Sequence, residues 1–258
     1  MTLRGRRAVV TGASRGIGAA IAERLAAEGA SLLLASRTFA DVEAVAAKLR
    51  SAGHVAHAVA CDVADPSSIE HLQQTAADTL GGVDILVNNA GVASAGRIQR
   101  TSLDDWNLMM TVNATGAFLC TKAFLPGMIE AGWGRIVNIA STAGVTGARY
   151  IAAYTASKHA LVGLTRATAA EVASLGVTVN AVCPGYVRTD MTTASISRIM
   201  AATGRTEQET LEAILSTTPQ RRLIEPEEVA ATAVFLCGDE ARGINGAALV
   251  IDGGELAQ

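Results

Sequence analysis

Short apolar runs alternate with longer stretches of helical period along the chain. Apolar residues recur at helical spacing over 19–29 and 40–52, and a further helix is expected over 67–80. Runs with the length and composition of buried strands lie at 8–10, 31–35, 56–60, 83–87, 134–140, 177–182 and 248–251. This alternation predicts an α/β fold in which helices and strands pack as layers.

Composition favours one well-buried domain over residues 1–258. Half of the residues are apolar and 17% are charged, whereas aromatic residues make up only 3%. Glycine is abundant, at 25 residues, which suits close packing and tight turns. No internal repeat and no linker divides the chain, so we expect a single unit.

Charge, cysteine spacing and hydropathy exclude several classes of protein. The formal net charge is −3 and no basic stripe is present, which argues against a nucleic-acid partner. No signal peptide opens the chain and no run of 18 apolar residues occurs, so we expect a soluble cytoplasmic protein. No metal is expected, since neither histidine nor cysteine spacing suits one. The cysteines, without any C-x-x-C, are predicted to be buried free thiols: Cys61, Cys120, Cys183 and Cys237.

The sequence T-G-A-S-R-G-I-G at 11–18 lies between the first predicted strand and the first predicted helix. Gly12 can take the positive φ of a tight turn, while Gly16 and Gly18 allow a diphosphate and the strand to approach the backbone. The helix N-terminus offers free N–H groups to phosphate. A turn without a ligand is the alternative interpretation.

The end of the second strand, about 20 residues beyond these glycines, selects the dinucleotide in such folds. Ser36 and Arg37 stand there instead of an acid, and Arg15 lies within the glycine loop. Two guanidinium groups suit a 2′-phosphate, so we favour NADPH over NADH. Arg37 as a solvated loop residue is the alternative.

Polar residues follow the next two strands. Asp62 can accept a hydrogen bond from an adenine amine, or cap the helix that starts near 65–66. The small residues after Asn88 suit close passage of a cofactor, although Asn88 itself can also serve only to fix the sheet. Asn113 is locally unfavourable in mid-helix, so we expect it to hold a water or bend the helix near the site.

Ser141, Tyr154 and Lys158 form the candidate acid/base group. Tyr154 and Lys158 are four residues apart, which places a phenol and an ammonium on one helical face. We expect the ammonium to lower the phenol pKa from about 10, and Ser141 to offer a second hydrogen bond to a substrate oxygen. Taken alone, such a pair is more often a surface feature of an amphipathic helix.

A stretch that is hard to place follows the strand at 177–182. Residues 190–219 contain scattered apolar side chains and come directly after a strand's carboxyl end. That position is typical of a substrate lid, so a lid is expected over about 189–222.

The set of motifs resembles the classical subfamily of the short-chain dehydrogenase/reductase family. T-G-A-S-R-G-I-G, N-N-A-G at 88–91, Asn113, Ser141, Y-x-x-x-K at 154–158 and P-G-x-V-x-T at 184–189 occur in the order and spacing of that family. The resemblance implies a single-domain Rossmann fold, with a seven-stranded, mostly parallel sheet and helices on both faces. It also implies a homotetramer.

The resemblance assigns roles to matching positions. Tyr154 is the acid/base, Lys158 lowers its pKa and holds the nicotinamide ribose, Ser141 polarises the substrate oxygen, and Asn113 positions a relay water. The implied cofactor contacts are Gly12, Ser14, Arg15, Gly16, Ile17, Gly18, Arg37, Asp62, Val63, Asn89, Ala90, Gly91, Tyr154, Lys158, Pro184, Gly185, Val187 and Thr189.

Within the family the sequence looks most like 3-oxoacyl-thioester (acyl carrier protein) reductases and polyketide ketoreductases. The resemblance therefore implies hydride transfer between NADPH and a carbonyl or secondary alcohol, with a 3-oxoacyl thioester or related ketone as substrate. The alternatives are an NAD-dependent alcohol dehydrogenase and a catalytically silent nucleotide-binding regulator on the same fold. A lyase or dehalogenase is disfavoured because the glycine loop is intact.

Overall fold

The computed structural model describes residues 2–257, and seven of their segments join in one parallel sheet. The strands are β1 (Arg7–Thr11), β2 (Ser31–Ser36), β3 (Ala56–Ala60), β4 (Ile85–Asn88), β5 (Gly134–Ile139), β6 (Val177–Pro184) and β7 (Ala248–Ile251). Their order is β3-β2-β1-β4-β5-β6-β7. All six neighbouring pairs of these strands are parallel, so the expected "mostly parallel" sheet is entirely parallel over the described residues.

The helices cover both faces of this sheet. They are α1 (Gly16–Ala27), α2 (Phe39–Ser51), α3 (Pro66–Leu80), α4 (Leu103–Met110), α5 (Gly116–Glu130), α6 (Ala152–Val172), α7 (Asp190–Thr203), α8 (Glu207–Leu215) and α9 (Pro226–Cys237). Helices α1, α2 and α9 share one apolar core with the sheet, and α3, α5 and α6 share the other. The predicted Rossmann-like α/β fold is confirmed.

Strand residues alternate between these two cores. Leu32 and Leu34 face the core of α1, α2 and α9, whereas Leu33, between them, faces the core on the opposite side. Successive side chains of a strand point to opposite faces, so a strand covered on both sides is apolar throughout. This explains why the strands read as continuous apolar runs. The four cysteines are buried and unpaired, as expected.

A nearly continuous helical stretch from Leu103 to Glu130 joins α4 to α5 through a π-helical turn, Thr111–Thr115. By length and composition alone this 28-residue stretch could cross a membrane, although polar residues such as Asp104, Asp105 and Asn113 interrupt it, so it is not the run of 18 apolar residues that the sequence was expected to lack. A core helix of a soluble protein passes the same test. Here Cys120, Phe124 and Met128 are buried against the sheet.

Residues 190–219, for which no secondary structure was predicted from the sequence, form mainly helices α7 and α8. Helix α7 ends at Gly204, which has a φ of 72°. Thr206 caps α8 by accepting a hydrogen bond from the Glu209 backbone, and the Glu209 carboxylate accepts one from the Thr206 backbone in return. A glycine after the last helical turn and a threonine three residues before a glutamate are local sequence patterns that mark helix ends.

Arg7 and Asp84 join the start of β1 to the loop before β4. The Asp84 carboxylate accepts hydrogen bonds from Nε and Nη2 of Arg7, each at 2.8 Å, and from the Arg7 backbone at 2.9 Å. Burial alone would raise the pKa of the Asp84 carboxyl, but the hydrogen bonds and charge of Arg7 outweigh burial and lower it.

Replacing Asp84→Asn removes the negative charge beside Arg7. We expect the free energy of unfolding at pH 7 to fall by about 2 kcal/mol, as for other partly buried ion pairs. Because folding lowers the carboxyl pKa, the wild-type advantage is complete above the ordinary value of 3.8 and is lost as the pH falls below it. Urea unfolding of both proteins at pH 7 and pH 3 measures this.

Lys48→Gln is the matched control, because Lys48 forms an exposed ion pair with Glu23. Its loss is expected to change stability by less than about 0.5 kcal/mol. Equal effects of Asp84→Asn and Lys48→Gln would show that the Arg7–Asp84 pair adds no particular stability.

Candidate active site

A cleft of about 620 Å³ runs along the carboxyl ends of the strands. It includes the point between β1 and β4 where the strand order reverses, which is where open α/β sheets bind ligands. Its walls contain every predicted dinucleotide contact: Gly12, Ser14, Arg15, Gly16, Ile17, Gly18, Arg37, Asp62, Val63, Asn89, Ala90, Gly91, Tyr154, Lys158, Pro184, Gly185, Val187 and Thr189. Ser141 lines the same cleft, so the topology brings the two predicted groups together.

The glycine loop between β1 and α1 leaves no room for side chains. Gly12 has a φ of 64°, and a Cβ there would lie 2.9 Å from the Ala90 Cα. A Cβ on Gly18 would lie 2.3 Å from the Gly12 carbonyl oxygen. Gly16 has a φ of 54° and faces Thr189. At each of the three positions a side chain would therefore be excluded by a close contact or disfavoured by a positive φ.

Thr11 and Asn89 hold the glycine loop against the loop that follows β4. The Thr11 hydroxyl accepts hydrogen bonds from the backbone N–H groups of Asn89 and Ala90, both at 3.1 Å. The Asn89 amide donates to the carbonyls of Thr11 and Gly12, both at 3.0 Å. Asn89 thus shapes the cleft through the loop that it fixes.

The residues at this loop fit a dinucleotide diphosphate. Helix α1 begins at Gly16 with no side-chain cap, so the first N–H groups of the helix are not used by a capping side chain. Such groups bind phosphate, aided by the helix dipole. The glycines keep this turn close to the neighbouring loop in front of an uncapped helix, because a Cβ at Gly12 or Gly18 would collide with protein atoms there. The structure thus favours the dinucleotide interpretation of the glycine motif over a simple turn.

Charges at the far end of the cleft are more mixed than the sequence predicted. Arg37 lines the cleft and is exposed, but Asp41 of α2 lines it too. Arg15 pairs with Asp190 at 3.4 Å, and both side chains are mostly exposed. The prediction that Arg15 and Arg37 stand there without a nearby acid is therefore wrong. Helices α2 and α7 each bring a carboxylate, Asp41 and Asp190, to the rim of the cleft.

Asp62 lines the cleft, and its contact with adenine stays a prediction. The alternative role, capping α3, belongs to Asp65, whose carboxylate accepts from the Ser67 backbone at 3.0 Å. Asp62 instead accepts from the Ala64 backbone at 3.0 Å and remains exposed at the cleft. Asn88 is buried within the sheet and donates to Asn138 of β5 at 2.8 Å, so its role is structural.

Ser141, Tyr154 and Lys158 meet at the carboxyl end of β5. The Ser141 side chain lies near enough to the Tyr154 phenol to favour its ionised form. The Lys158 Nζ donates to the Ile139 carbonyl at 2.8 Å and lies 5.8 Å from the centroid of the Tyr154 ring. A strand end and one turn of α6 thus place a hydroxyl, a phenol and an ammonium around one space.

The pKa values of this group differ from the prediction for Tyr154. Burial raises the pKa of the Tyr154 phenol, and the nearby Ser141 side chain offsets only part of that rise. The expected net lowering is therefore wrong, because desolvation outweighs the other influences on the phenol. Burial also lowers the pKa of Lys158 to about 8, so its ammonium is close to titration near neutral pH.

Asn113 lies behind the cleft wall, in the π-helical turn between α4 and α5. Its amide accepts from the Val92 N–H at 2.8 Å and donates to the Val92 carbonyl and the Ser157 hydroxyl, both at 2.9 Å. The residue is 1% exposed. A Cβ on Gly91 would lie 3.3 Å from the Asn113 Oδ1 and 3.5 Å from the Lys158 Nζ. The predicted helix distortion is present, and Asn113 fixes the loop after β4 to α6.

Sequence reasoning missed several cleft residues. They are Thr38, Asp41, Cys61, Val92, Ala93, Val112, Ile139, Ala140, Asp190, Met191, Thr192, Ala194 and Arg198. Those of α7 come from the segment that was expected to be a lid but had no predicted helix. The signal was available, since Thr192 and Ile196 form the buried face of α7 at helical spacing.

A dinucleotide cradle that ends at a phenol and an ammonium defines a nicotinamide-dependent oxidoreductase. The family model described as enoyl-(acyl carrier protein) reductase matches residues 12–255. The chain belongs to the short-chain dehydrogenase/reductase family of NAD(P)-dependent oxidoreductases.

Relatives of this chain are similar over their whole length. It is 39% identical to a D-β-hydroxybutyrate dehydrogenase of Cupriavidus necator, over 99% of this chain and 100% of the relative. It is 41% identical to a 3-oxoacyl-(acyl-carrier-protein) reductase of Vibrio cholerae, over 98% of each chain. A solved variant of actinorhodin polyketide ketoreductase with NADPH superimposes with a TM-score of 0.95 at 38% identity, over 99% of both chains.

Replacing Gly18→Ala tests the cradle. Its Cβ meets the Gly12 carbonyl and the Asn89 amide, so the loop must move. We expect dinucleotide affinity, measured by fluorescence titration, to fall at least about 100-fold, which corresponds to a loss of about 2.7 kcal/mol.

Gly163→Ala in α6 is the control, because nothing lies within 4 Å of its Cβ position. It is expected to keep full affinity and to gain about 0.5–1 kcal/mol of stability. Tight dinucleotide binding by Gly18→Ala would contradict the assigned cradle.

Proposed function

We propose that this protein is a carbonyl reductase that prefers NADPH and acts on a 3-oxoacyl thioester or a related ketone. The observation that carries the proposal is the meeting of Ser141, Tyr154 and Lys158 at one end of the dinucleotide cleft. Relatives that reduce 3-oxoacyl groups on an acyl carrier protein support the substrate class.

NADPH held by the cleft residues would supply the hydride that the carbonyl carbon accepts, and the protein would supply the proton for the oxygen. Tyr154 donates the proton to the oxygen, which suits a phenol whose raised pKa keeps it protonated. Ser141 donates a hydrogen bond to the same oxygen and so holds the carbonyl beside the phenol. Lys158 contributes positive charge as the phenol loses its proton and is placed to hold the nicotinamide ribose.

Asn113 supports this group from behind. Its hydrogen bonds to Val92 and Ser157 fix the cofactor loop to the helix that carries Tyr154. We assign it the family's water-positioning role, which accords with its nearness to the Gly91 backbone and Lys158. These roles rest on position in the cleft and on the family resemblance together.

The preference for NADPH rests on Arg37. Its guanidinium is exposed, lines the cleft and has no ion pair with a carboxylate within residues 2–257. A free guanidinium there suits a 2′-phosphate, whereas the diphosphate contacts do not distinguish the two cofactors. The solved relative with NADPH supports the same choice.

The proposal also includes a substrate lid and assembly as a homotetramer in the cytoplasm. The segment at about 189–222, with α7 and α8, acts as the substrate lid, since Met191, Thr192 and Arg198 line the cleft. The stretch from Leu103 to Glu130 exposes apolar side chains that suit burial in a cytoplasmic homotetramer. They are Leu103, Trp106, Leu108 and Phe118.

A second candidate is NAD-dependent oxidation of a 3-hydroxy acid, which is the same chemistry in the opposite direction. Asp41 favours it, because a carboxylate at the cofactor end of the cleft repels a 2′-phosphate. The similarity to D-β-hydroxybutyrate dehydrogenases supports it as well. The two candidates differ in cofactor and direction and share every residue of the acid/base group.

Replacing Tyr154→Phe removes the acid and keeps the ring. We expect kcat for reduction of acetoacetyl-CoA to fall at least about 10³-fold, within the range for removal of a general acid, while NADPH affinity stays within about twofold. Stopped-flow NADPH oxidation and fluorescence titration measure the two.

Tyr150→Phe is the matched control, because that tyrosine is exposed outside the cleft. It is expected to retain full turnover. Near-normal turnover by Tyr154→Phe would defeat the proposed mechanism, and NADPH binding without turnover on any ketone by the wild type would favour a silent nucleotide-binding regulator.

Replacing Arg37→Ala tests the cofactor choice. Loss of one charge-assisted contact to phosphate is expected to raise KM for NADPH about tenfold and leave KM for NADH unchanged. Arg50→Ala is the control. Arg50 belongs to α2, the helix that follows Arg37, and it pairs with Glu43 away from the cleft. An unchanged ratio of the two KM values would remove Arg37 from cofactor selection.

A further inference from the structure

A second, smaller cavity of about 260 Å³ opens beside the main cleft. Ala93 and Arg198 line both spaces, so the smaller cavity continues the larger one. Its other walls include Gly96, Arg100, Thr101 and Asp105, from the loop after β4 and the start of α4.

The cavity is fixed to the helix that carries Tyr154. Gly96 forms a parallel bridge with Ile151, and its N–H donates to the Tyr150 carbonyl at 2.6 Å. Ile151 immediately precedes the first residue of α6, and Tyr154 is in the first turn of that helix. The cavity wall at Gly96 is therefore joined to the start of the helix that carries Tyr154.

Two arginines, Arg100 and Arg198, line this cavity, and both are exposed. The Arg198 side chain donates to the Ala93 carbonyl at 3.2 Å, which holds it at the junction of the two cavities. Neither Arg198 nor Arg100 pairs with a carboxylate among residues 2–257. Asp105, the cavity's carboxylate, accepts a hydrogen bond from the Ser102 hydroxyl at 2.8 Å. The charged lining thus has a net charge of +1 and unused donors.

We infer that this cavity is a subsite for an anionic group of the substrate, a carboxylate or a phosphate, bound by Arg100 and Arg198. The inference rests on the proposed carbonyl reductase function and narrows its substrate class. Guanidinium donors match the planar carboxylate and the phosphate oxygens, and such bonds are stronger than neutral ones. The anion is either the carboxylate of a free 3-oxo acid or a phosphate of the thiol carrier.

The test compares three substrates that share one reacting group. Acetoacetate carries a carboxylate, acetoacetyl-CoA carries phosphates, and methyl acetoacetate carries no charge. KM and kcat are measured for the wild type, Arg100→Gln, Arg198→Gln and the double variant. Arg97→Gln is the matched control, because Arg97 is exposed on the same loop and lies outside the cavity.

The double variant is expected to raise KM for the anionic substrate about tenfold, the combined effect of two exposed charge-assisted contacts. For the single variant Arg100→Gln, at a residue outside the main cleft and the lid, kcat and both constants for methyl acetoacetate are expected to stay within twofold of the wild type. A rise for acetoacetate alone identifies a free acid, and a rise for acetoacetyl-CoA alone identifies a phosphate. Added NaCl is expected to raise KM for the anionic substrate and to leave KM for methyl acetoacetate unchanged.

Equal KM changes for charged and neutral substrates, or none for either anion, would overturn the subsite and leave the carbonyl reductase proposal standing. Failure of the wild type to reduce any of the three would instead count against the reductase. Calorimetric titration of the NADP⁺-loaded proteins with acetoacetate and with coenzyme A then decides the subsite without turnover. Unchanged affinities in the double variant overturn it.

Discussion

The close approach of two loop backbones at the carboxyl ends of β1 and β4 is the constraint on which the site depends. Thr11 and Asn89 tie the loops together with four hydrogen bonds, and Gly12 and Gly18 leave the space that the contact needs. One added methyl group would separate the loops. The cleft, the uncapped helix and the position of Gly91 all follow from this contact.

Burial sets the chemistry at the other end of the cleft. A phenol and an ammonium would each keep an ordinary pKa in water, but desolvation moves both toward their neutral forms. The fold accepts a buried lysine because its ammonium donates to the Ile139 carbonyl. Proton donation to a carbonyl oxygen requires a protonated phenol, so the upward shift of the Tyr154 pKa suits reduction.

Local signals predicted most of the fold and many of the residues that line the cleft. Continuous apolar runs marked the strands because both faces of a parallel sheet are covered. The glycine turn, Ser141 and the Tyr154–Lys158 pair could be predicted from the sequence, because each needs particular residue types at fixed spacing. Residues that reach the cleft from elsewhere were not. Asp41 and Arg198 are ordinary surface residues in the sequence, and only the packing of α2 and α7 brings them to the rim.

The sequence by itself determined an α/β chain with a dinucleotide turn and an acid/base pair on one helix. Spacing along a strand or helix fixes the face on which a side chain lies, and these features depend on nothing more distant. Only the tertiary structure decided that every described strand pair is parallel and that Asp65, not Asp62, caps α3. It alone decided the direction of the Tyr154 pKa, because desolvation depends on what the rest of the chain places around the phenol.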